Sequence, residues 1–300
     1  MNIWGMSKNG HDWSVAIFKD NNLGNRFKLV DTISGKGPGH TLECIEEAKK
    51  SGEPDLVIWY ENPYLKSIRQ LIAGQPNPFR RNNVRRYLRD LNIRCKWTYV
   101  GHHESHAAAF YKSGFEDATI VVLDSIGEFD CTSIWHAKNG KMKKLQSTKY
   151  PHSIGLFYSA MTDRAGLKPQ QDEGKFEELS QEHLPFSMLE HHMEIDLVKQ
   201  MTPLPKFKKN MHRGVRGMYP DFSNKEIASA ARKIFERLIQ AVLWRARVLS
   251  DSKNIVIGGG VAFNKYIPTT TGKWDNLYIP SNPSDTGSAE GAVLAYLNNK

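Results

Sequence analysis

Residues 118–149, ATIVVLDSIGEFDCTSIWHAKNGKMKKLQSTK, contain three short strand-like segments joined by polar turns. The segments are ATIVVLD (118–124), DCTSIWH (130–136) and MKKLQSTK (142–149). Short apolar and β-branched runs bounded by Gly, Asn and Asp are typical of an antiparallel meander. A predicted helix at 154–165, a long amphipathic helix at 225–249 and the buried strand NIVIGG (254–259) follow. The region therefore predicts an α/β unit that opens with three antiparallel strands.

The N-terminal residues repeat this order of elements. Strand-like runs NIWGMS, WSVAIF and RFKLVD lie within 2–32 and are joined by polar turns at 8–10 and 20–25. After them we predict helices at 41–51, 62–74 and 80–91, strands at 55–60 and 95–100, and a helix from 102 that is closed by Gly114. Because the same order occurs twice, it predicts two similarly built lobes that face one another, although the sequence itself contains no visible repeat.

We expect the two lobes to divide the chain unequally. Lobe I should span 1–116 and be completed by the C-terminal helix, 286–300. Lobe II should span 117–285, with an inserted loop and helical region at about 168–222. Ligands of such α/β proteins bind in the crevice at the carboxyl ends of the strands. The side chains that follow predicted strands are therefore the first candidates for a functional site.

Composition and charge exclude some classes of protein. The chain has 300 residues, an ordinary globular composition and a formal net charge of +9. No run approaches the roughly eighteen uninterrupted apolar residues of a membrane span, and the N-terminus lacks the pattern of a signal peptide. Three widely spaced cysteines are typical of reduced thiols. We therefore expect a cytoplasmic enzyme that does not bind a membrane.

Two histidines and two aspartates beside predicted strands are candidate metal ligands. His102 and His106 are four residues apart on a predicted helix, so both imidazoles lie on one face and can share a cation. Asp124 ends the strand TIVVLD, and Asp285 opens the last helix. Two imidazoles and two carboxylates suit iron, zinc or manganese, with positions left for water or substrate. Taken singly, the same residues suit surface histidines, a turn aspartate and a helix N-cap.

Glycine turns form a second group of candidates. IVIGGGVAFN (255–264) places three glycines after a buried strand, where backbone N–H groups can approach a phosphate. DSIGEFD (124–130) and DTGSAEGA (285–292) have a similar character. The first turn is not a Walker loop, since no Gly-Lys-Ser/Thr sequence follows it. A tight structural turn remains the alternative for each.

Polar residues in two predicted loops complete the candidates. In QQDEGK (170–175), Lys175 is placed to reach a phosphate and Glu173 a ribose; an exposed charged loop is the alternative. His11, beside Asp12 in the first hairpin, is a candidate general base toward a hydroxyl. His191 and His192 are interpreted as surface residues.

Taken together, these segments resemble the N-terminal catalytic domain of the O-carbamoyltransferases, the family of the nodulation-factor, cephamycin and tobramycin carbamoyltransferases. The matching motifs keep the family order over nearly the whole chain: GMSKNGHDWS (5–14), HHESHAAAFYKSGF (102–115), VVLDSIGEFDCTSIW (121–135), PHSIGLFYSAMT (151–162), DEGK (172–175), GGGVAFN (258–264) and PSDTGSAEGA (283–292). More distantly, the histidine pair and GGVAFN are similar to those of the tRNA threonylcarbamoyladenosine synthase. That relationship implies a two-lobed actin/hexokinase-type (ASKHA) α/β fold with duplicated ribonuclease-H-like lobes.

The resemblance also implies roles for particular residues. It implies that His102, His106, Asp124 and Asp285 hold a metal ion, most often iron, and that His11 and its neighbour Asp12 act in catalysis. It implies contacts to ATP or to a carbamoyl-adenylate from Gly127, Glu128, Glu173, Lys175, Gly259, Gly260 and Asn264. In this chemistry the metal acts as a Lewis acid on the carbamoyl donor while a base takes the acceptor's proton.

Two departures from the family concern the donor. Typical members carry a second, YrdC-like domain that makes carbamoyl-adenylate from carbamoyl phosphate and ATP, whereas this sequence ends at Lys300 without one. We therefore expect direct use of carbamoyl phosphate, a separate adenylate-forming chain, or a rebuilt donor site. The family's lysine after the first strands is also not recognisable, and Lys36 is a poor match.

Two basic segments indicate the acceptor. Residues 76–97 carry six arginines and a lysine against one acid, and 206–216 contain no acid. The candidate contacts with nucleic acid are Arg80, Arg81, Arg85, Arg86, Lys208, Lys209 and Arg213. Positive charge interleaved with aromatic residues is typical of nucleic-acid binding, although a solvated helix face and a surface loop are the alternatives.

We therefore expect carbamoylation of a hydroxymethyl pyrimidine in DNA, of the 5-hydroxymethylcytosine type, as in a phage-encoded DNA-modifying enzyme. Carbamoylation of a nucleotide, sugar or secondary metabolite is the alternative within the enzyme class. A non-catalytic binding subunit that needs a partner chain is the alternative from another class.

Overall fold

The computed structural model of the chain describes residues 1–9, 11–20, 27–181, 187–272 and 274–299. These residues form two five-stranded sheets and a separate pair of short strands. Each large sheet belongs to one lobe and has its own apolar core, which includes Trp4 and Ile58 in lobe I and Phe157 and Phe235 in lobe II. The predicted turns at 8–10 and 20–25 and the last residue of the predicted C-terminal helix, Lys300, fall partly or wholly outside the described residues.

The first sheet has the strand order β3-β2-β1-β4-β5. Its strands are β1 (Asn2–Lys8), β2 (Asp12–Asp20), β3 (Phe27–Lys36), β4 (Leu56–Trp59) and β5 (Lys96–Tyr99). The first three are antiparallel, and β4 and β5 extend the sheet in parallel with β1. Its helices are α1 (Leu42–Lys50), α2 (Pro63–Ile72), α3 (Pro78–Arg81), α4 (Val84–Asp90) and α5 (His102–Ala107). β1 is buried at five consecutive residues, as expected for a central strand covered on both faces.

The second sheet has the equivalent order, β8-β7-β6-β11-β12. Its strands are β6 (Asp117–Leu123), β7 (Asp130–Lys138), β8 (Lys141–Lys149), β11 (Asn254–Gly258) and β12 (Asn276–Tyr278). The first three again form an antiparallel meander, and β11 and β12 are parallel to β6. The two lobes therefore share one topology, as the repeated order of elements predicted.

Helices of lobe II lie around this sheet. They are α6 (Ile154–Arg164), α7 (Glu173–Leu179), α8 (Ser187–Leu197), α9 (Asn224–Leu249) and α10 (Tyr266–Thr270), and the short strands β9 (Val198–Gln200) and β10 (Lys206–Phe207) lie between α8 and α9. The long helix α9 begins at a capping box in which Ser223 and Glu226 satisfy each other's backbone N–H groups. Its apolar face, including Phe235, packs in the core of lobe II.

The last helix, α11 (Asp285–Asn298), returns to lobe I and packs on β1, β2 and β4. Small residues allow this close approach: a Cβ on Gly5 of β1 would lie 1.8 Å from the carbonyl oxygen of Ala289. Because α11 begins beside lobe II and ends on lobe I, its first residue lies between the lobes.

Two predicted helices differ from the structure. The segment 80–91 is not one helix, because α3 and α4 are separated at Asn82 and Asn83. Asn83 caps α4 by accepting a hydrogen bond from the N–H of Arg86. The helix predicted from 102 to 114 is α-helical as far as Ala107 and continues as a 3₁₀ turn to Lys112. Within the described ranges, no helix is long and apolar enough to span a bilayer.

Candidate metal centre and active site

Four side chains from three elements converge between the lobes. Asp124 follows the last residue of β6, His102 and His106 lie one turn apart on α5, and Asp285 is the first residue of α11. The four side chains therefore come from one strand end and two helix starts. The sequence predicted functional residues at these same positions. His102, His106 and Asp124 are buried, and Asp285 is half-buried.

The polar atoms of this cluster face a common centre. Nε2 of His102 lies 2.9 Å from Oδ2 of Asp124 and 3.2 Å from Nε2 of His106. Oδ1 of Asp285 lies 3.1 Å from Nε2 of His106 and 3.3 Å from Nε2 of His102. One ligand atom from each of the four residues lies within 4.8 Å of the others. Two imidazole nitrogens in contact and two carboxylate oxygens beside them fit a bound cation, because a cation would satisfy all four atoms at once.

Charge within the cluster is strongly coupled. Burial opposes protonation of His102, but the carboxylates of Asp285 and Asp124 outweigh burial and raise the pKa of the imidazole well above its usual value. In the same way, burial of Asp285 is outweighed by His102 and His106, which hold the pKa of that carboxyl well below its usual range. The carboxylates therefore stabilise positive charge at the centre, whether carried by a proton or by a metal ion.

Neighbouring side chains orient the four candidate ligands. Nδ1 of His106 lies 3.2 Å from the hydroxyl oxygen of Ser288 on α11. The amide Nδ2 of Asn9 donates to Oδ2 of Asp285 at 2.9 Å, leaving Oδ1 toward the histidines. Such partners fix the tautomer and orientation of ligating side chains.

His11 and Asp12 lie at the mouth of the site and are tied to it by Asn9. The Oδ1 atom of Asn9 accepts hydrogen bonds from the backbone N–H groups of His11 and Asp12, at 3.2 and 2.8 Å. Nδ1 of His11 lies 3.3 Å from Oδ2 of Asp12. Asn9 therefore links the predicted general base to the candidate metal ligand Asp285.

A cleft of about 560 Å³ opens from this cluster and is lined by both lobes. Lobe I contributes His11, Asp12 and residues of α2, and lobe II contributes the turn after β6, α6, α7 and the turn after β11. A volume of several hundred Å³ is typical of small-molecule and cofactor sites.

The glycine turns border this cleft on the side of lobe II. Gly259 has φ +89° and ψ 157°, and a Cβ there would lie 2.1 Å from the carbonyl oxygen of Leu123. The N–H of Gly260 points to Oδ1 of Asp124 at 3.3 Å and opens a short 3₁₀ turn, Gly260–Phe263, rather than a longer helix. A Cβ on Gly127 would lie 2.9 Å from the ring of His103. Close approach of neighbouring atoms therefore favours glycine at Gly259 and Gly127.

The other predicted donor-binding residues differ in their positions. Glu173 and Asn264 line the cleft, and Oε1 of Glu173 accepts a hydrogen bond from the hydroxyl of Ser159 at 2.8 Å. Lys175 is exposed, pairs with Asp172 at 2.8 Å and is not among the described residues that line the cleft.

Glu128 is buried and bound to backbone. Its Oε1 accepts hydrogen bonds from the N–H of Asn62 at 2.6 Å and from the N–H of His102 at 2.9 Å. The carboxylate therefore holds the starts of α2 and α5 together, at helix N-termini where negative charge is favoured.

Both basic segments lie on the surface. Arg80 and Arg81 on α3, Arg85 and Arg86 on α4, and Lys208, Lys209 and Arg213 beyond β10 are all exposed. His212, next to Arg213, lines the cleft. His191 and His192 on α8 are also exposed, as their sequence context predicted.

Sequence reasoning missed three residues that the structure brings to the site. Asn9 lies within the SKNGHDWS segment beside His11, but only the fold places it against Asp285. Ser288 is one turn beyond Asp285 on α11, which is a signal that helical spacing could have supplied. Arg69 on α2 lines the cleft, although the helix also carries the apolar residues Leu65, Ile68 and Leu71.

Curated relatives have about one quarter of their aligned residues in common with this chain. It is 25% identical over 360 residues to the uncharacterized protein sll1178 of Synechocystis sp., which covers 99% of this chain and 58% of that protein. It is 24% identical over 213 residues to the nodulation protein NolO of Bradyrhizobium diazoefficiens, covering 65% of this chain and 38% of that protein. The chain therefore spans well under two thirds of the length of these relatives.

Solved structures identify the fold and a family model identifies the family. Component A of the (R)-2-hydroxyglutaryl-CoA dehydratase of Acidaminococcus fermentans superposes with a TM-score of 0.52 at 14% identity, with both chains covered completely. The activator of the 2-hydroxyisocaproyl-CoA dehydratase of Clostridium difficile, with bound ADPNP, superposes at 0.51 and 13% identity, covering all of this chain and 95% of the activator. These likenesses confirm the two-lobed actin/hexokinase-type fold. The Carbamoyltransferase N-terminus family model matches residues 60–294, and the chain therefore belongs to that family, as its motifs predicted.

Proposed function

We propose that this chain transfers a carbamoyl group to a hydroxyl group at the cleft between its lobes. The observation that carries the proposal is the convergence of His102, His106, Asp124 and Asp285 within 4.8 Å, beside a cleft bordered by glycine turns. Membership of the carbamoyltransferase family supports the reaction class. The mixed nitrogen and oxygen ligand set supports iron, with zinc or manganese as alternatives.

The chain's own residues would divide the chemistry between them. A bound cation would supply Lewis acidity that polarises the carbamoyl carbonyl or holds a phosphate. His11 would take the proton of the acceptor hydroxyl, and Asp12, 3.3 Å from Nδ1, would hold the ring with Nε2 free to accept it. With carbamoyl phosphate as donor, the acceptor oxygen bonds to the carbamoyl carbon and the bond from that carbon to the phosphate oxygen breaks. The proton stays on His11 until it is released to solvent or phosphate.

We propose that the lobe II wall binds the donor. Gly127, Gly259, Gly260, Glu173 and Asn264 border the cleft there or support its turns. The Clostridium activator with bound ADPNP has the same fold, which supports ATP or a carbamoyl-adenylate as a ligand of this wall. A separate adenylate-forming chain would then supply the activated donor, whereas direct use of carbamoyl phosphate would need no partner.

We propose DNA that carries a hydroxymethyl pyrimidine as the acceptor. Exposed arginines on α3 and α4 lie beside Phe79, which is 51% exposed and placed to stack on a base. His212 brings the second basic segment to the edge of the cleft. A target base in a duplex would have to flip out of the stack to reach the cleft. Binding to DNA should then weaken steeply as salt is raised, because phosphate contacts release counterions.

Mass spectrometry of the acceptor tests the proposal. DNA that contains 5-hydroxymethylcytosine is incubated with purified protein and carbamoyl phosphate, with and without ATP, and its nucleosides are analysed. We expect one added carbamoyl group per modified base. His102→Ala should abolish the gain, and His191→Ala, which changes an exposed histidine outside the cleft, should preserve it.

The outcomes separate the alternatives. Equal activity on the free nucleoside and on DNA would replace DNA with a small-molecule acceptor. No gain on DNA, nucleotide or sugar acceptors, with His102→Ala behaving like wild type in every assay, would contradict the enzyme and favour a binding subunit.

A further inference from the structure

Helix α2 turns its polar side toward the cleft and its apolar side toward solvent. Lys66, Arg69 and Gln70 line the cleft. On the other side, Leu71 and Ile72 are 57% and 75% exposed. A helix on the surface of a globular protein normally buries its apolar side. The reversed arrangement places two cationic side chains at the cleft, and their charge needs an explanation other than packing.

Arg69 is a buried cation that has no hydrogen-bond or ion-pair partner among the described residues. The residue is 8% exposed, and its Nε atom has no hydrogen-bond partner among the described residues. Within the same residues no ion pair joins it to a carboxylate, and its Cζ atom lies 6.0 Å from the ring centroid of Tyr150. A charged group that is buried without a partner is unfavourable, so the guanidinium would be stabilised by an anion bound in the cleft.

The nearby carboxylate does not neutralise Arg69. Glu61 places Oε1 2.5 Å from Nζ of Lys66, so its charge is matched by the lysine. Lys8 is a further cation near Lys66, which contributes, after burial, to lowering the pKa of Lys8. Burial lowers the pKa of Arg69, and the charge of Arg69 adds to burial in lowering the pKa of His212 across the cleft. Arg69 therefore lies at this wall with a positive charge that no ion pair among the described residues balances.

We propose that Arg69, with Lys66 beside it, forms a phosphate-binding subsite on the lobe I wall of the cleft. A guanidinium offers a planar fork of donors that matches two oxygens of a phosphate, and it stays charged when buried. The donor-binding turns lie on the lobe II wall, so this subsite is distinct from them. The phosphate belongs either to a nucleotide acceptor or to carbamoyl phosphate, and this identity rests on the proposed function.

Isothermal titration calorimetry of the metal-loaded protein tests the subsite directly. The probes are inorganic phosphate, carbamoyl phosphate, 5-hydroxymethyl-2′-deoxycytidine and its 5′-monophosphate. Arg69→Met should weaken phosphate binding by about 10- to 100-fold, or remove one phosphate equivalent per chain, as expected for loss of a charged hydrogen-bond donor. Arg94→Met removes an equal charge from an exposed arginine of the same lobe that does not line the cleft, and it should bind phosphate like wild type.

Comparison of the probes assigns the phosphate. If Arg69→Met loses affinity for the monophosphate and keeps its affinity for the nucleoside, the acceptor's phosphate binds at Arg69. If it loses affinity for carbamoyl phosphate alone, the donor's phosphate binds there. Arg69→Lys, which keeps the charge without the fork, should give intermediate affinity and serves as the test variant should Arg69→Met not fold. Equal phosphate binding by wild type and both Arg69 variants would overturn the subsite.

Failure of the proposed function gives a different result. If wild type binds phosphate through Arg69 but transfers no carbamoyl group, the transfer proposal fails and the subsite stands. If Arg69→Met transfers a carbamoyl group to the nucleoside and to its monophosphate with equal KM values, both matching wild type, the subsite fails and the function stands.

Discussion

Substitution of Gly259 by alanine should weaken the metal centre through the backbone of the neighbouring strand. With φ +89° and ψ 157°, Gly259 lies in a region of backbone conformation that is essentially restricted to glycine. The new Cβ would lie 2.1 Å from the carbonyl oxygen and 2.6 Å from the carbonyl carbon of Leu123, against an ordinary contact of 3.4–4 Å. The end of β6 must therefore move by about 1 Å, and the next residue is the candidate ligand Asp124.

The expected cost has two parts. The backbone conformation costs a non-glycine residue about 1–3 kcal/mol. Forcing an extra methyl group into a packed position costs about 1–3 kcal/mol more. We expect Gly259→Ala to lower the free energy of unfolding by about 4 kcal/mol and to weaken metal binding by roughly 10- to 100-fold, as for loss of an orienting partner.

Gly140→Ala is the matched control. Gly140 also has a positive φ, +72°, but a Cβ there would meet no atom within 4 Å. It should therefore cost about 1 kcal/mol and leave metal binding unchanged. Urea unfolding gives the free energies, and competition with a chelator gives the metal affinity. If both variants lost the same stability and both kept the metal, the steric coupling between Gly259 and Asp124 would be refuted.

Three further predictions concern other residues. Burial lowers the pKa of His40 from 6.5 to about 4, so between these values the unfolded chain binds a proton that the folded chain does not. This difference in proton binding does not lower the stability above pH 6.5. Between pH 7 and pH 5 it should lower the free energy of unfolding by about 2 kcal/mol. His40→Gln should lack this loss in urea unfolding at the two pH values. Glu128→Gln should lower the free energy of unfolding by about 2 kcal/mol, because two charge-assisted hydrogen bonds are weakened. Glu116 is exposed, so Glu116→Gln should change the free energy of unfolding by less than about 0.5 kcal/mol. Asn9→Ala should weaken metal binding by roughly 10-fold, because Asp285 loses the donor that orients it; unchanged affinity in chelator competition would contradict that role.

Much of the fold could be predicted from local sequence pattern. The strand-like runs in 2–32 and 118–149 predicted the two meanders, and β11 followed the long helix as expected. These predictions succeed because strand runs and helix periodicity are local properties of the chain. The break between α3 and α4 was missed because Asn82 and Asn83 act as caps, and that signal is weak beside a strong run of helix formers.

The candidate metal ligands could also be named from the sequence, because each lies at a strand end or a helix start. The spacing of His102 and His106 required only the helical repeat. Their meeting with Asp285, 179 residues beyond His106, depends on α11 returning to lobe I. No local pattern encodes that return, so the sequence predicted the residue types and the tertiary structure decided their distances.

The environments of the charged residues were decided by tertiary structure alone. Glu128 and Lys175 both suited donor binding in sequence, yet one is buried against two backbone N–H groups and the other is exposed beside Asp172. Arg69 reads as one of several arginines, but the fold leaves it buried, unpaired within the described residues and open to the cleft. Sequence determines which groups carry charge; burial and the nearest partners, which set the free energy of that charge, come from packing between segments far apart in the chain.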